Sequence, residues 1–512
     1  MSLPLLLLLI TPHLFIMRAT SYLLPSLLLT TQIQAVPAWL SPSYSVPTTL
    51  LDPGHNKLGA VASESAICSE IGTAALQAGG NAADAMVAST LCVGGYIQAR
   101  ECAPAAATEN MYKNNVNASI HTGLASGVPG ELRGLAYLHD NYGSLPWEDL
   151  VMPAVEVARN GFPVTADLVR YEANAVAGID NFLVNNPTWA IDFAPNGSLL
   201  GLGDVITRKR YADTLETIAK RGVEAFYSGP LAETFINTVQ SNGGMMTLAD
   251  LKNYTVAIRP PSAIDYRDYK ITSGSAPSSG TVLASAMKII EGYPTIGEAA
   301  TLNLSTHLFD EAIRFAYGQR TELGDPFFSL ETPGTSAVVT TDVTGMAISL
   351  TTTVNLLFGS QIMVPETGVI LNNEMNDFSI PGASNAFGYI PSPSNYIRPG
   401  KRPLSSITPT IVEHANGTLY FAVAAAGGSR IITATLQNLW HVLDQNMTAP
   451  EALAAPRFHD QLVPNQILFE WAYDNGTVAF MRERGHNVSW ITDLGLSSAQ
   501  SVSFFCGALR GF

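Results

Sequence analysis

The chain has 512 residues, 47% hydrophobic and 13% charged, with a formal net charge of −15 and a pI near 5.0. That apolar content excludes a disordered chain, and the length accommodates two or more domains or one large one. The acidic balance, with Arg208-Lys209-Arg210 as the densest basic run, excludes the basic face that nucleic-acid binding requires.

In chain order, Leu3–Ile10 and Tyr22–Leu29 are apolar runs too short to span a bilayer. Read from Met17, the basic Arg18, the apolar run and a small-residue exit near Ala35 have the layout of a signal peptide. Residues 1–35 are therefore expected to act as a signal peptide or signal-anchor, taking the protein outside the cell or holding it at the membrane. Eight Asn-x-Ser/Thr acceptors agree with a secretory route: Asn117, Asn196, Asn253, Asn303, Asn416, Asn446, Asn475 and Asn487. The four cysteines, Cys68, Cys92, Cys102 and Cys506, are too few for a disulfide scaffold. No close Cys/His spacing marks a metal cluster, so neither metal nor cofactor is expected.

Apolar spacing at Ile67, Ile71 and Leu76 predicts a helix ended by Gly79-Gly80, and Asn81 caps a second helix reaching about Val93. Gly130–Gly161 and Lys209–Gly243 also read as mainly helical. From Gly334 the pattern turns to strands: Val338–Thr341 and Met346–Thr353 flank a turn at Asp342-Val343-Thr344-Gly345. Gly368–Leu371 reads as another short strand, and Pro381–Pro403 as a loop. Thr418–Ala425 is a strand, Gly427-Gly428 a turn and Ile431–Val442 a buried helix. Helices early and strands late predict layers of helix over sheet.

The chain lacks G-x-S-x-G, H-E-x-x-H and phosphate-loop motifs. Chemistry without metal or cofactor then needs an activated nucleophile or paired carboxylates. Thr335, after Gly334, is one candidate: a cut before it frees an α-amino group that can act as its base. Read alone, a threonine after Pro-Gly at a strand start is structural; its surroundings change that weighting.

Gly334–Pro381 resembles the start of the γ-glutamyltransferase small subunit. Upstream, GGNAADA (Gly79–Ala85), ARECAP (Ala99–Pro104) and GLASGVPGELRGL (Gly123–Leu135) resemble the large subunit. Downstream, GKRPLSSITPTI (Gly400–Ile411) and AAAGGSRIITAT (Ala424–Thr435) complete the series, which runs in family order from about Gly59 to Ser489. The resemblance implies an α+β, N-terminal-nucleophile hydrolase fold, a four-layer αββα sandwich. It also implies self-cleavage into a large subunit (36–334) and a small subunit (335–512) that remain together as a heterodimer.

Carried over by position, Thr335 is the nucleophile and Thr353 its hydrogen-bonding partner, while Gly427 and Gly428 offer backbone N–H groups to the oxyanion. Only glycine lets the main chain come that close to a tetrahedral intermediate. Arg100, Ser405 and Ser406 correspond to a clamp for the substrate α-carboxylate, and Asn355, Glu374 and Asp377 to one for its α-ammonium. Cys68 and Cys92 match a disulfide pair. The implied reaction is hydrolysis or transfer of γ-glutamyl groups from glutathione and related compounds to water, amino acids or peptides.

Three departures qualify the match. Between Gly94 and Ala99 only a few residues stand where the family has a longer, glycine-rich segment with a core strand. Ala499–Phe512 diverges, so the family's final strand is expected to be missing or replaced. Ala337 stands where many relatives carry histidine. Two alternatives therefore stay open: an inactive, unprocessed relative or truncated gene model, and a related amide or β-lactam acylase.

Overall fold

The computed structural model describes residues 58–94, 101–323, 333–382, 391–491, 497–505 and 508–511. The expected leader (1–35), the shortened connection before Arg100, Arg100 itself and Cys506 lie outside these residues. No described helix is long and apolar enough to cross a membrane.

Nine strands build two antiparallel sheets. In chain order they are β1 (Gly59–Ser63), β2 (Ser262–Tyr266), β3 (Tyr269–Ser273), β4 (Pro333–Asp342), β5 (Ala347–Leu356), β6 (Thr410–His414), β7 (Leu419–Ala426), β8 (Ser498–Phe505) and β9 (Ala508–Gly511). One sheet has the order β1-β4-β5 and the other β9-β8-β7-β6-β3-β2. Strand side chains alternate between faces, which decides what each sheet buries. Ala60, Ala62, Ala337 and Val339 of the first sheet pack on Leu419, Ala422, Ala424 and Val502 of the second. Ser349 ties the sheets by donating to the Val423 carbonyl at 2.8 Å.

The outer faces meet helices. On the first sheet lie α1 (Ala66–Gln77) and α2 (Ala82–Val93); α3 (Glu131–Tyr142) and α4 (Trp147–Asn160) pack on α2 and α6 (Lys209–Arg221) on α4, while α5 (Ala166–Ala175) joins a separate apolar cluster with Leu357 and Phe358. Asn81 caps α2 by accepting from the Ala83 and Asp84 N–H groups, and a disulfide joins Cys68 to Cys92. Val87, Leu91, Leu132, Val151, Leu215 and Ile218 fill the layer between these helices. Thr340 donates to the Ala82 carbonyl at 2.8 Å, seating β4 on the start of α2.

The second sheet is covered by α7 (Gly280–Glu291), α8 (Leu302–Leu323) and α9 (Arg430–Leu443), with Ile271, Val412, Phe421 and Val423 facing Leu283, Met287, Phe309 and Trp440. Every residue of α9 is buried, its polar side included, where Gln437 donates to the Phe458 carbonyl at 2.7 Å. A short helix, α10 (Asn475–Glu483), packs outside α8. The layers are helix, sheet, sheet, helix: the αββα sandwich.

One expectation is corrected and another is narrowed. Gly368–Leu371 forms only an isolated bridge, Met363 to Ile370, because the chain turns tightly there, with Gly368 at φ 68°. The C-terminal stretch is not short of a strand: β8 pairs with β7 from Ser498–Ala426 to Ser503–Phe421, and β9 continues the sheet beyond it.

Candidate active site

Antiparallel pairing of β4 with β5 sets Thr335 directly opposite Thr353. Thr335 shares the sheet face of Ala337 and Val339, so its hydroxyl points toward the second sheet. Thr335 Oγ1 and Thr353 Oγ1 are 2.9 Å apart, and Thr353 Oγ1 also lies 3.3 Å from the carbonyl oxygen of Gly334. The Asn355 N–H donates to Thr353 Oγ1 at 2.8 Å and so orients it. The register shifts between Pro333 and Thr335, and a Cβ on Gly334 would stand 2.4 Å from the Leu356 carbonyl oxygen, so only glycine fits.

Gly427 and Gly428 close the turn from β7 into α9, with φ of 133° and 60°. Their carbonyls accept from the Arg430 and Ile431 N–H groups, at 3.1 and 3.2 Å, and so point along α9. Among the described residues, neither glycine N–H has an acceptor. The pair thus presents main-chain donors at the helix start, just beyond β7, the strand that packs against β4 and β5.

Asn355 ends β5 in the left-handed region, φ 71°, and donates to the Asn373 carbonyl at 3.1 Å. Asn373 and Asn372 hold the following turn, Glu374–Asp377, in place. Asn373 Oδ1 accepts from the Leu356 N–H at 3.1 Å, and Asn372 Oδ1 accepts from the N–H groups of Gly127 and Glu374, at 2.8 and 3.1 Å. Glu374 is fully buried, and Asp377 is half-buried.

Ser405 and Ser406 rest on α7 and α8. Ser279 Oγ donates to the Ser405 carbonyl at 2.6 Å, while Arg320 Nη2 donates to Ser406 Oγ at 3.1 Å and Arg320 Nε to Ser279 Oγ at 3.3 Å. Arg100 is outside the described residues, but Ala103, just beyond it, pairs with the same loop: its N–H donates to the Lys401 carbonyl at 2.8 Å.

Two side chains that the sequence reading missed belong to this neighbourhood. Arg320 is buried behind the serine pair. Glu64, between β1 and α1, accepts from Ser498 Oγ, the Ser336 hydroxyl and the Ala337 N–H, linking the strand that carries Thr335 to the strand paired with Ala426. Burial pushes its carboxyl above the usual carboxylate range, against the pull of those three donors. Neither residue sits in a motif whose spacing could have pointed to it. Ala337 packs in the seam between the sheets, and burial raises the Cys102 thiol to about 11.

An αββα sandwich with a threonine at the start of an inner strand defines the class of N-terminal-nucleophile hydrolases. The fold is shared with the crystal structure of cephalosporin acylase from Bacillus halodurans, with a TM-score of 0.76 at 24% identity, covering 91% of this chain and 96% of that one. The family model for γ-glutamyltranspeptidase matches residues 95–333 and 328–511. The chain is 49% identical to a glutathione hydrolase proenzyme of Arthroderma benhamiae, over 90% of this chain and 91% of that protein. It is 44% identical to a glutathione hydrolase of Aspergillus flavus, over 85% and 84% respectively. The chain belongs to the γ-glutamyltranspeptidase family, which hydrolyses or transfers γ-glutamyl groups. The acylase alternative is not favoured, since that likeness is one of fold.

Proposed function

We propose that this chain cuts itself between Gly334 and Thr335 and then uses Thr335 to pass γ-glutamyl groups, from glutathione above all, to water or to an amino acid or peptide. The observation that carries this reading is Thr353 Oγ1, within reach of both Thr335 Oγ1 and the Gly334 carbonyl. In the uncleaved chain the Thr335 nitrogen is an amide and cannot serve as a base. Attack by Oγ1 forms a C–O bond to the Gly334 carbonyl carbon as the Gly334–Thr335 C–N bond breaks, and the hydroxyl proton passes to the departing nitrogen. Water hydrolyses the ester, leaving a Gly334 carboxylate and a free α-amine on Thr335.

In turnover that amine takes the Oγ1 proton as the oxygen attacks the γ-carbonyl, then returns it to the leaving amine. The Gly427 and Gly428 N–H groups stabilise the oxyanion of each tetrahedral intermediate. Arg100, Ser405 and Ser406 hold the α-carboxylate; Asn355, Glu374 and Asp377 hold the α-ammonium. Reading both charges orients the γ-carbonyl toward Thr335. The subunits 36–334 and 335–512 remain a heterodimer because each sheet takes strands from both: β1 pairs with β4, and β3 with β6.

A secretory location is part of the proposal. All of the Asn-x-Ser/Thr asparagines are exposed except Asn303, which is half-buried, so glycans can be accommodated. The test of the whole reading is a denaturing gel with N-terminal sequencing of the smaller band, beside a γ-glutamyl anilide assay. A fragment starting Thr335-Ser336-Ala337 with γ-glutamyl turnover supports it. A single intact chain without turnover overturns it in favour of the inactive relative.

A further inference from the structure

A second cluster of ionisable side chains lies where α8 meets the turn after α10. His307 and Glu311 are four residues apart on α8 and so share one side of the helix. His486 reaches them from the turn. His307 Nδ1 is 2.8 Å from His486 Nε2, and Glu311 Oε1 is 3.8 Å from the same nitrogen. One ligand atom from each of the three lies within 4.8 Å of the others.

The independent observation is Asp310. It is fully buried, and neither carboxylate oxygen accepts a hydrogen bond from any described residue. Its Oδ2 stands 3.3 Å from His486 Nδ1, on the far side of the ring from His307 and Glu311. The neighbouring Arg314 puts Nη1 on Asp460 at 2.8 Å and Asn465 at 2.9 Å, and its Nε lies 4.0 Å from Glu311 Oε1.

At 3.3 Å, without a hydrogen bond, an ionised Asp310 favours one tautomer of His486 electrostatically. With its proton on Nδ1, facing Asp310, His486 keeps a bare lone pair on Nε2. That lone pair points at His307 Nδ1, and two such nitrogens can approach only with a proton or a metal ion between them. Glu311 adds a carboxylate oxygen within 4.8 Å of both nitrogens, the third ligand that an ion would use. Two imidazoles and one carboxylate are a ligand set suited to zinc, and an outer carboxylate on the far imidazole nitrogen is the usual means of fixing such a ligand. The Glu311 side chain is 40% exposed against 6% for His486, which gives an ion a way in and leaves a coordination position for water.

We propose that His307, Glu311 and His486 bind a divalent transition-metal ion of the zinc class, with Asp310 orienting His486, and that the ion clamps the turn after α10 onto α8. The two histidines are 179 positions apart, so no local spacing announces the site.

The test uses the purified full protein, stripped with a chelator and dialysed, then titrated with Zn(II) by calorimetry and with Co(II) by visible absorption. Saturable binding of one ion per chain, a tetrahedral Co(II) spectrum and a rise in Tm with Zn(II) are expected. Glu311→Gln, at a half-exposed position, should weaken binding at least tenfold while γ-glutamyl turnover and circular dichroism stay unchanged; Asp310→Asn should weaken it about tenfold. His486→Asn should abolish both the spectrum and the Tm shift. No saturable binding, or binding that Glu311→Gln and His486→Asn leave unaltered, overturns the proposal and makes the pair a proton-bridged structural contact.

Discussion

Thr353 Oγ1 lies 2.9 Å from Thr335 Oγ1 and 3.3 Å from the Gly334 carbonyl oxygen, so one hydroxyl touches both the Thr335 hydroxyl and the carbonyl of the Gly334–Thr335 bond. With the Asn355 N–H donating to it, its own proton is free to polarise the Gly334 carbonyl. Thr353→Val keeps the shape and removes this donor. Self-cleavage on a gel time course should slow about 100-fold, and kcat on a γ-glutamyl anilide should fall by a similar factor; Thr353→Ser should restore most of both. Wild-type processing by the valine variant would remove Thr353 from the mechanism.

Arg320 reaches Ser406 and Ser279 with two different nitrogens, and Ser279 in turn holds the Ser405 carbonyl. A lysine cannot reproduce that fork. Arg320→Lys should raise KM for γ-glutamyl substrates about tenfold and leave kcat within about threefold, because it loosens substrate binding and not the nucleophile. Steady-state kinetics decide it; an unchanged KM would make Arg320 a purely structural residue.

Glu64 accepts hydrogen bonds from Ser336, Ala337 and Ser498, and its carboxyl is raised by burial, with Asp167 adding repulsion. Tyr171 of α5 also lies close enough to interact with it electrostatically. As pH falls through that raised value, the carboxyl protonates and loses acceptor capacity. Self-cleavage of the wild type should therefore slow on the acid side at a pH above the normal carboxylate range. Glu64→Gln should process more slowly at neutral pH and lose that acid limb. Rate against pH for the two proteins is the measurement, and identical profiles would exclude the role.

Stability has its own pH dependence. Glu172, buried on α5, is raised to about 7 by desolvation, and its Oε1 has no hydrogen-bond partner among the described residues. An unfolded glutamate ionises near pH 4, so this residue costs stability progressively as pH rises from about 4 to 7. Glu172→Gln should match the wild type in Tm near pH 4 and exceed it by about 2 °C at pH 8. On the acid side, burial depresses His441 to about 4 and His459 to about 3. Both remain neutral in the fold while the unfolded chain protonates near pH 6.5, so they draw stability down as pH falls from about 6.5 toward 3. Thermal melts across pH test both limbs; a Glu172→Gln advantage that does not grow with pH would refute the first.

Much of this protein is written locally. The helices around Cys68 and Cys92, the Asn81 cap, the β4–β5 strands around their Asp342–Gly345 turn and the buried α9 follow from short-range periodicity and turn chemistry, because those forces act between residues a few positions apart. Thr335, Thr353 and the Gly427-Gly428 turn stood out through the family resemblance of the contiguous motifs around them, not through local periodicity. The sequence by itself determined most of the elements, the candidate nucleophile and the family. Only the tertiary structure decided which distant side chains meet. Arg320 contacts a serine 86 positions later, and Glu64 a serine 434 positions later. Such pairs have no periodic signature, since stacking the two sheets and their helices is what closes the intervening chain and brings them together.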